Sequence, residues 1–384
     1  MAHNHNKLVR FAQLLTRSQE RISIEPEQKY QQITVRMWGK GVVERGIIQG
    51  SAIAAPSQFV AHTGQFIMSR IDARNGAYGL VPATLDGAVV TNDFPLFFVN
   101  TTEILPAFLA WMSKTRRFVD LCIAASEGTT NRVRLQEDRF LATEIPLPPL
   151  DEQRRIVARI EALAGRVAEA QRLRTEVREQ AHQMLQSVYH DLIHGVPHQK
   201  MKHVAPIVRR PIEVDMEQDY YELGIRSFGK GTFHKPAIKG ADVGSKRIFQ
   251  IEPGDLLFSN VFSWEGAIAV VKPMDKGRVG SHRFISCVPK SGLATANFLC
   301  FHFLTLKGLI DIGEASPGGA GRNRTLGLTK LEEIEVPVPP YEKQLWFDSL
   351  IAKVDAISST QSANQAELDA LMPVILDKAF RGEL

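Results

Sequence analysis

The sequence predicts two β-rich α+β domains joined by two long antiparallel coiled-coil helices, arranged as a pseudo-two-fold internal repeat. Three observations carry this: a repeat about 190 residues apart, two Pro-Pro stops each followed by a long apolar seam, and short β-branched and aromatic runs between them. A period this long is a whole domain, not a solenoid unit.

The repeat is read residue by residue. Tyr30, Arg36, Gly39, Lys40 and Gly41 recur as Tyr220, Arg226, Gly229, Lys230 and Gly231. Ser69, Gly76-Ala77, Gly87 and Val89 recur as Ser259, Gly266-Ala267, Gly277 and Val279. After a one-residue slip, Ile145-Pro146-Leu147-Pro148-Pro149 matches Val336-Pro337-Val338-Pro339-Pro340, and Gln153 matches Gln344. The boundaries follow as a first domain over 1–150, a helical connector over 151–195, a second domain over 196–341 and a second connector over 342–384.

In each domain short runs alternate with Gly, Pro and Asn: Ile33 to Met37, Gln65 to Ile71 and Leu96 to Val99, then Leu223 to Ser227, Asp255 to Val261 and Phe284 to Val288. They predict a twisted, mainly antiparallel sheet, with one helix near Leu105 to Ala124 and another near Ala294 to Ile312.

The connectors read as helices. Proline cannot donate to a sheet ladder, so Pro148-Pro149 ends the last extended segment, and Asp151 is placed to open a helix. Ile156, Leu163, Ala170, Val177 and Met184 then fall every seven residues, with Ile160, Val167, Arg174, Ala181 and Val188 four further on. The second seam runs through Phe347, Leu350, Val354, Ile357, Gln361, Asn364, Leu368, Leu371 and Ile375, with a polar centre and Pro373 set to bend or interrupt its last turns. Two such seams most simply pair with each other, antiparallel, which would place the domains at opposite ends; the plainer alternative packs each helix on its own domain. Apolar residues beside the seams suggest further helices from a partner. The docking candidates are Ile156, Ile160, Leu163, Val167, Val177, Trp346, Leu350, Val354, Leu368 and Leu371.

Composition narrows the function. The net charge is +4 in 384 residues. Residues 1–150 hold 16 basic against 13 acidic side chains and 196–341 hold 19 against 15, so the excess sits in the repeated domains. That is the direction expected if the domains meet a polyanion and the connectors meet protein. No apolar run is long enough to span a membrane and no leader opens the chain, so a cytoplasmic setting is expected. Cys122, Cys287 and Cys300 show no metal-ligand spacing and read as reduced packing thiols. No Walker A loop, dinucleotide fingerprint, zinc ligand set, nuclease centre or adenine-methyltransferase motif is found, so no catalytic residue, metal or cofactor is assigned and a binder is favoured over an enzyme.

The candidate DNA contacts punctuate equivalent loops. Lys40 and Lys230 lie in matched Gly-Lys-Gly turns, as phosphate contacts. Arg70 and Arg74 stand against Asn260 and Trp264, and Asn92 and Asp93 against His282 and Arg283. Asn131, Arg132 and Arg134 stand against Arg322, Asn323 and Arg324 in the glycine-rich Ser316 to Leu328 segment. Arg can bridge a guanine edge and Asn can pair with adenine, while a surface charge or internal ion pair explains any single residue equally well. Equivalent loops with unlike side chains suit two readers of different sequences.

On these residues the chain resembles the specificity subunits of type I restriction-modification systems. The resemblance rests on the paired segments 145–157 and 336–344, on Ser-Arg-Ile-Asp-Ala-Arg-Asn-Gly-Ala at 69–77 and on the terminal Leu-Asp-Lys-Ala-Phe-Arg-Gly-Glu-Leu; Lys343 departs from the acidic Glu152. It implies two target-recognition domains, each reading one half of a bipartite asymmetric site on double-stranded DNA, held apart by the helices. It also implies two modification methyltransferase subunits docked on those helices and motor-endonuclease subunits in the assembly. S-adenosylmethionine, ATP and Mg would then sit on the partners and none on this chain. A structural adaptor with two protein-binding domains and an enzyme with an unrecognised site remain as alternatives.

Overall fold

The computed structural model describes residues 7–128, 133–318 and 324–384. It divides into two compact units, Met1–Arg174 with Ala363–Leu384, and Thr175–Ser362. Each helical connector is therefore shared between the units and does not stand apart from them.

Unit 1 contains a five-stranded sheet, ordered Arg21–Ser23, Ser57–Val60, Val89–Val90, Lys29–Arg36 and Gly41–Gln49, and a four-stranded sheet, ordered Leu15–Arg17, Leu96–Val99, Phe66–Met68 and Tyr78–Leu80. Pairing is antiparallel throughout both, except where Gln32 meets Val89. Strand Lys29–Arg36 buries Tyr30, then Ile33 and Val35, a change of parity that a register shift between Gln32 and Ile33 produces. Under the sheets a cluster of phenylalanines excludes water, with Phe11 stacked 4.6 Å from Phe140 and edge-on to Phe118.

Unit 2 repeats the plan with a four-stranded sheet (Thr232–Lys239, Asp219–Ile225, Val279–Ser281, Ile248–Gln250) and a three-stranded one (Ile268–Val270, Leu256–Ser259, Phe284–Cys287). Its long strand carries the matching irregularity between Tyr221 and Leu223.

Two expectations need correction. The single helix expected after each sheet is two: Pro106–Ser113 and Arg116–Ala124, then Ala296–Leu304 and Leu306–Glu314. Thr115 and Thr305 divide them, because each hydroxyl accepts from an amide of the next helix, Phe118 and Gly308 respectively. The second connector is also two helices, Tyr341–Ala363 and Gln365–Arg381, separated at Asn364; the latter continues through Pro373.

Within unit 1 the first half of helix Leu150–Ile193 runs antiparallel to Gln365–Arg381. Ile160 packs with Leu376 and Ala379, and Gln171 reaches Asp369 at 3.4 Å. Within unit 2 the last turns of that long helix pack Leu185 and Tyr189 against Phe347 of helix Tyr341–Ala363. The equivalences are close: Phe380 meets Phe108 in unit 1 with ring centroids 5.1 Å apart, and Tyr189 meets Phe298 in unit 2 at 5.6 Å.

The Pro-Pro-x-x-x-Gln motif owes its form to one buried amide per unit. Gln153 accepts from the Leu105 amide (2.8 Å) and donates to the Glu103 and Pro148 carbonyls (both 2.9 Å). Gln344 accepts from Thr295 (3.0 Å) and donates to Leu293 (2.9 Å) and Pro339 (2.8 Å). Both are fully buried, so each glutamine ties helix start, strand end and the preceding loop together with its main hydrogen-bonding capacity used.

Candidate nucleic-acid interface

Each unit brings three short segments and a hairpin turn to one surface and fastens them with the same four backbone hydrogen bonds. In unit 1, Trp38 and Gly39 donate to the Asn75 and Gly76 carbonyls (2.7 and 3.0 Å), Arg70 to Asp93 (2.9 Å) and Leu135 to Arg70 (2.7 Å). In unit 2, Phe228 and Gly229 donate to Glu265 and Gly266 (2.7 and 2.9 Å), Asn260 to Arg283 (2.8 Å) and Leu326 to Asn260 (2.7 Å). Contact is close enough at the turn that a Cβ on Gly76 would lie 3.2 Å from the Trp38 amide nitrogen, and Gly76 itself has φ +77°.

The side chains on this shared frame differ. Arg70 is held by Glu137, which also receives Arg17 at 3.0 Å, and all three are largely withdrawn from solvent. Burial pulls Arg17 below its ordinary value; Glu137 opposes this and Arg70 adds to it. Arg134 pairs with Asp93 at 2.8 Å. In unit 2 the position of Arg70 is Asn260, whose side-chain oxygen is buried and finds no partner among the described residues. Asp93 becomes Arg283, and Glu137 becomes Leu328. Arg283 and Arg324 are exposed and form no ion pair among the described residues, though Arg324 lies 5.4 Å from the Trp264 ring centroid.

Of the other candidates, Lys40, Lys230, Asn92 and His282 are exposed, and Arg74 and Trp264 are half-buried, the Trp264 indole donating to the Val261 carbonyl at 2.9 Å. Asn131, Arg132, Arg322 and Asn323 lie outside the described residues. Two residues escaped sequence reasoning. Trp38 and Phe228 occupy the hairpin turns beside the lysines, 72% and 75% exposed, with left-handed φ values of +63° and +61°. Such a backbone costs about 1–2 kcal/mol for a residue with a Cβ. The available signal was an aromatic directly before Gly-Lys-Gly in both copies.

On the helices, Ile160, Val167 and Leu368 are buried, and Ile156, Leu163, Leu350 and Val354 are half-buried. Val177, Trp346 and Leu371 remain 43%, 53% and 42% exposed. The two heptad seams therefore hold near the domains and not at Val177, Met184, Ile357 or Leu371, all of which are exposed.

Among the described residues no group of three His, Cys, Asp or Glu side chains is arranged to hold a metal, and no helix is long and apolar enough to cross a membrane. The cysteines are free; burial pushes the Cys287 and Cys300 thiols up to about 12 and the Cys122 thiol higher than its ordinary value.

No protein-family model and no curated protein matches the chain. Solved structures do. The HsdS subunit from Thermoanaerobacter tengcongensis is 22% identical with a TM-score of 0.59, over 98% of this chain and 97% of that one. A chain from a structure addressing complex assembly and conformational transition of the type I R-M system is 24% identical with a TM-score of 0.70, over 98% of both chains. The fold expected from the sequence, two α+β domains with long antiparallel helices, is thus that of an HsdS subunit along nearly the whole chain.

Proposed function

We propose that the chain is the DNA-sequence specificity subunit of a type I restriction-modification complex, each unit reading one half of a bipartite asymmetric site. The observation that carries this is the identical four-bond frame in both units bearing unlike side chains. A shared frame presents loops in the same way; different side chains give each half its own donor and acceptor pattern. Arg283, Arg324, Asn260, Asn92 and His282 are the candidate base readers, and Lys40 and Lys230 the phosphate contacts. Exposed apolar residues along the helices, among them Leu173, Val177, Trp346 and Leu371, suit docking of two methyltransferase subunits. The helices also set the number of base pairs between the half-sites.

In this reading the chain is not itself catalytic. S-adenosylmethionine, ATP and Mg act on the partner methyltransferase and motor-endonuclease subunits, in the cytoplasm where the DNA is.

The test is to map methylated adenines in cells carrying the chain with its methyltransferase partner. A two-part motif is expected that disappears when the chain is deleted. DNA binding by the complex that stayed flat across both salt and sequence would favour a protein-binding adaptor instead.

A further inference from the structure

We propose that Trp38 and Phe228 are stacking residues that insert against base faces when the loops engage duplex DNA, one ring per half-site. This rests on the DNA reading above and adds a contact to it that deforms the duplex.

Four observations converge. Both rings stand in solvent, so each carries a large apolar face left uncovered in the chain alone. Both sit at left-handed φ, where glycine or asparagine would be unstrained, yet an aromatic occupies the position twice. Both turns are fastened by paired backbone bonds to the segment carrying Arg70 in one unit and Asn260 in the other, so the rings are presented rigidly beside the candidate base readers. Most of the neighbouring contact positions change between the units while the aromatic persists. Every base offers a π face, so stacking is the contact that two readers of different sequences can share.

Charge selects nucleic acid as the occupant. Lys40 and Lys230 lie two residues beyond the rings, and the Lys230 ammonium is 5.9 Å from the Phe228 ring centroid. The hollow beside Trp38 is lined by Arg74, Lys114, Arg116 and Asp369, with Arg116 also paired to Asp120 on its own helix at 2.9 Å. Burial lowers Lys114 from its ordinary value, and its ammonium lies 4.3 Å from the Trp111 ring centroid. The Phe228 turn faces a more balanced wall, Lys230 and Lys272 against Asp348 and Asp355. Trp38 is therefore expected to contribute more than Phe228. A ring wedged at an opened base step, with a lysine on the adjacent phosphate, is a contact that minor-groove-bending proteins use.

The test uses the chain assembled with its methyltransferase partner and duplexes containing the methylated motif, with 2-aminopurine scanned through each half. Binding is expected to raise 2-aminopurine fluorescence at one step per half. Trp38→Ala and Phe228→Ala should each weaken binding by about 10-fold and abolish the rise in their own half, while Trp38→Phe should keep most of both. Trp38→Gly and Phe228→Gly should melt no earlier than the parent, because the turn is relaxed, and still lose affinity. If the parent binds and the Ala variants match it, the stacking role is wrong and the DNA reading stands. If the variants fail to assemble with the methyltransferase but the free chain's DNA binding is unchanged, the rings are protein contacts and the proposal falls. If the parent shows no sequence-dependent binding at all, the DNA reading falls, and stacking with it.

Discussion

The two loop clusters share a backbone and oppose each other electrostatically. In unit 1 the cations Arg17, Arg70 and Arg134 are balanced by Glu137 and Asp93. In unit 2, Arg283 stands where unit 1 has Asp93 and Arg324 lies beside the position of Arg134, both in the open, while Asn260 donates its amide to the Arg283 carbonyl and accepts from Leu326. A duplicated frame can thus hold one cluster rigid through internal ion pairs and leave the other to complete its charges on a ligand. Paired cations lose most of their attraction for phosphate, since bringing in the anion means competing with a carboxylate already in place.

The comparison fails at once if the frame is not shared, and the buried glutamines test that with the largest effect. Gln153→Ala leaves the Leu105 amide and the Glu103 and Pro148 carbonyls without their partner, and Gln344→Ala does the same at Thr295, Leu293 and Pro339. Each should cost its own unit about 3 kcal/mol, read by denaturant unfolding with hydrogen exchange assigning the loss to the unit. Unequal losses of more than about 2 kcal/mol would show that the two motifs are not doing the same job.

Next comes a difference between the cores. The Tyr189 hydroxyl meets His302 Nδ1 at 2.6 Å in unit 2, where unit 1 has Phe380 and Met112. Burial lowers His302 to about 4, with Asp311 opposing and nearby His198 and Lys307 reinforcing the shift. The unfolded chain takes up the proton from about 6.5 downward and the folded unit only near 4, so stability is full above about 6.5 and lost as pH falls between those values. The loss reaches at most about 3 kcal/mol. Tyr189→Phe with His302→Met transplants the unit 1 pair and should flatten the unit 2 pH profile between 7 and 4.5; an unchanged profile would assign the acid sensitivity elsewhere.

How much of this was legible depended on sequence distance. The Pro-Pro stops, the glutamines and the helix ends repeat in register, and local chemistry alone places them. Thr115 and Thr305 carried a local signal too, as helix caps, but the apolar pattern runs across them and conceals the break. The change of parity after Gln32 needs the partner strand to be known. Arg70 and Glu137 are 67 residues apart, so nothing near Arg70 announces that its charge is taken. Equally, φ at Trp38 and Phe228 is set by the loop each turn leans on, and an aromatic before glycine does not reveal it. Loop residues were thus the least readable, since tertiary contacts decide which are free.

That ion pair gives the third test. Glu137→Gln leaves Arg17 and Arg70 together without an anion, and should destabilise unit 1 by about 2 kcal/mol at pH 7, more at low salt than at high. It also frees Arg70, so DNA affinity of the assembled complex should rise or hold even as the unit weakens. A fall in affinity beyond what unfolding explains would mean that the carboxylate itself reads a base, since an acid can accept from cytosine.

The smallest effects decide the comparison most directly. Arg283→Ala and Arg324→Ala each remove a cation with no ion pair among the described residues, and should lower affinity for the motif by about 1 kcal/mol and flatten the dependence of log affinity on log salt by close to one phosphate contact apiece. Arg134→Ala removes a cation that Asp93 already neutralises, so its salt slope should stay within error of the parent. Asp93→Asn, which unlocks Arg134, should then steepen that slope and make unit 1 resemble unit 2. Equal slopes for Arg134→Ala and Arg324→Ala would show that the ion pair opens on DNA at little cost, and that the two loop clusters differ in the bases they choose and not in how firmly they hold the backbone.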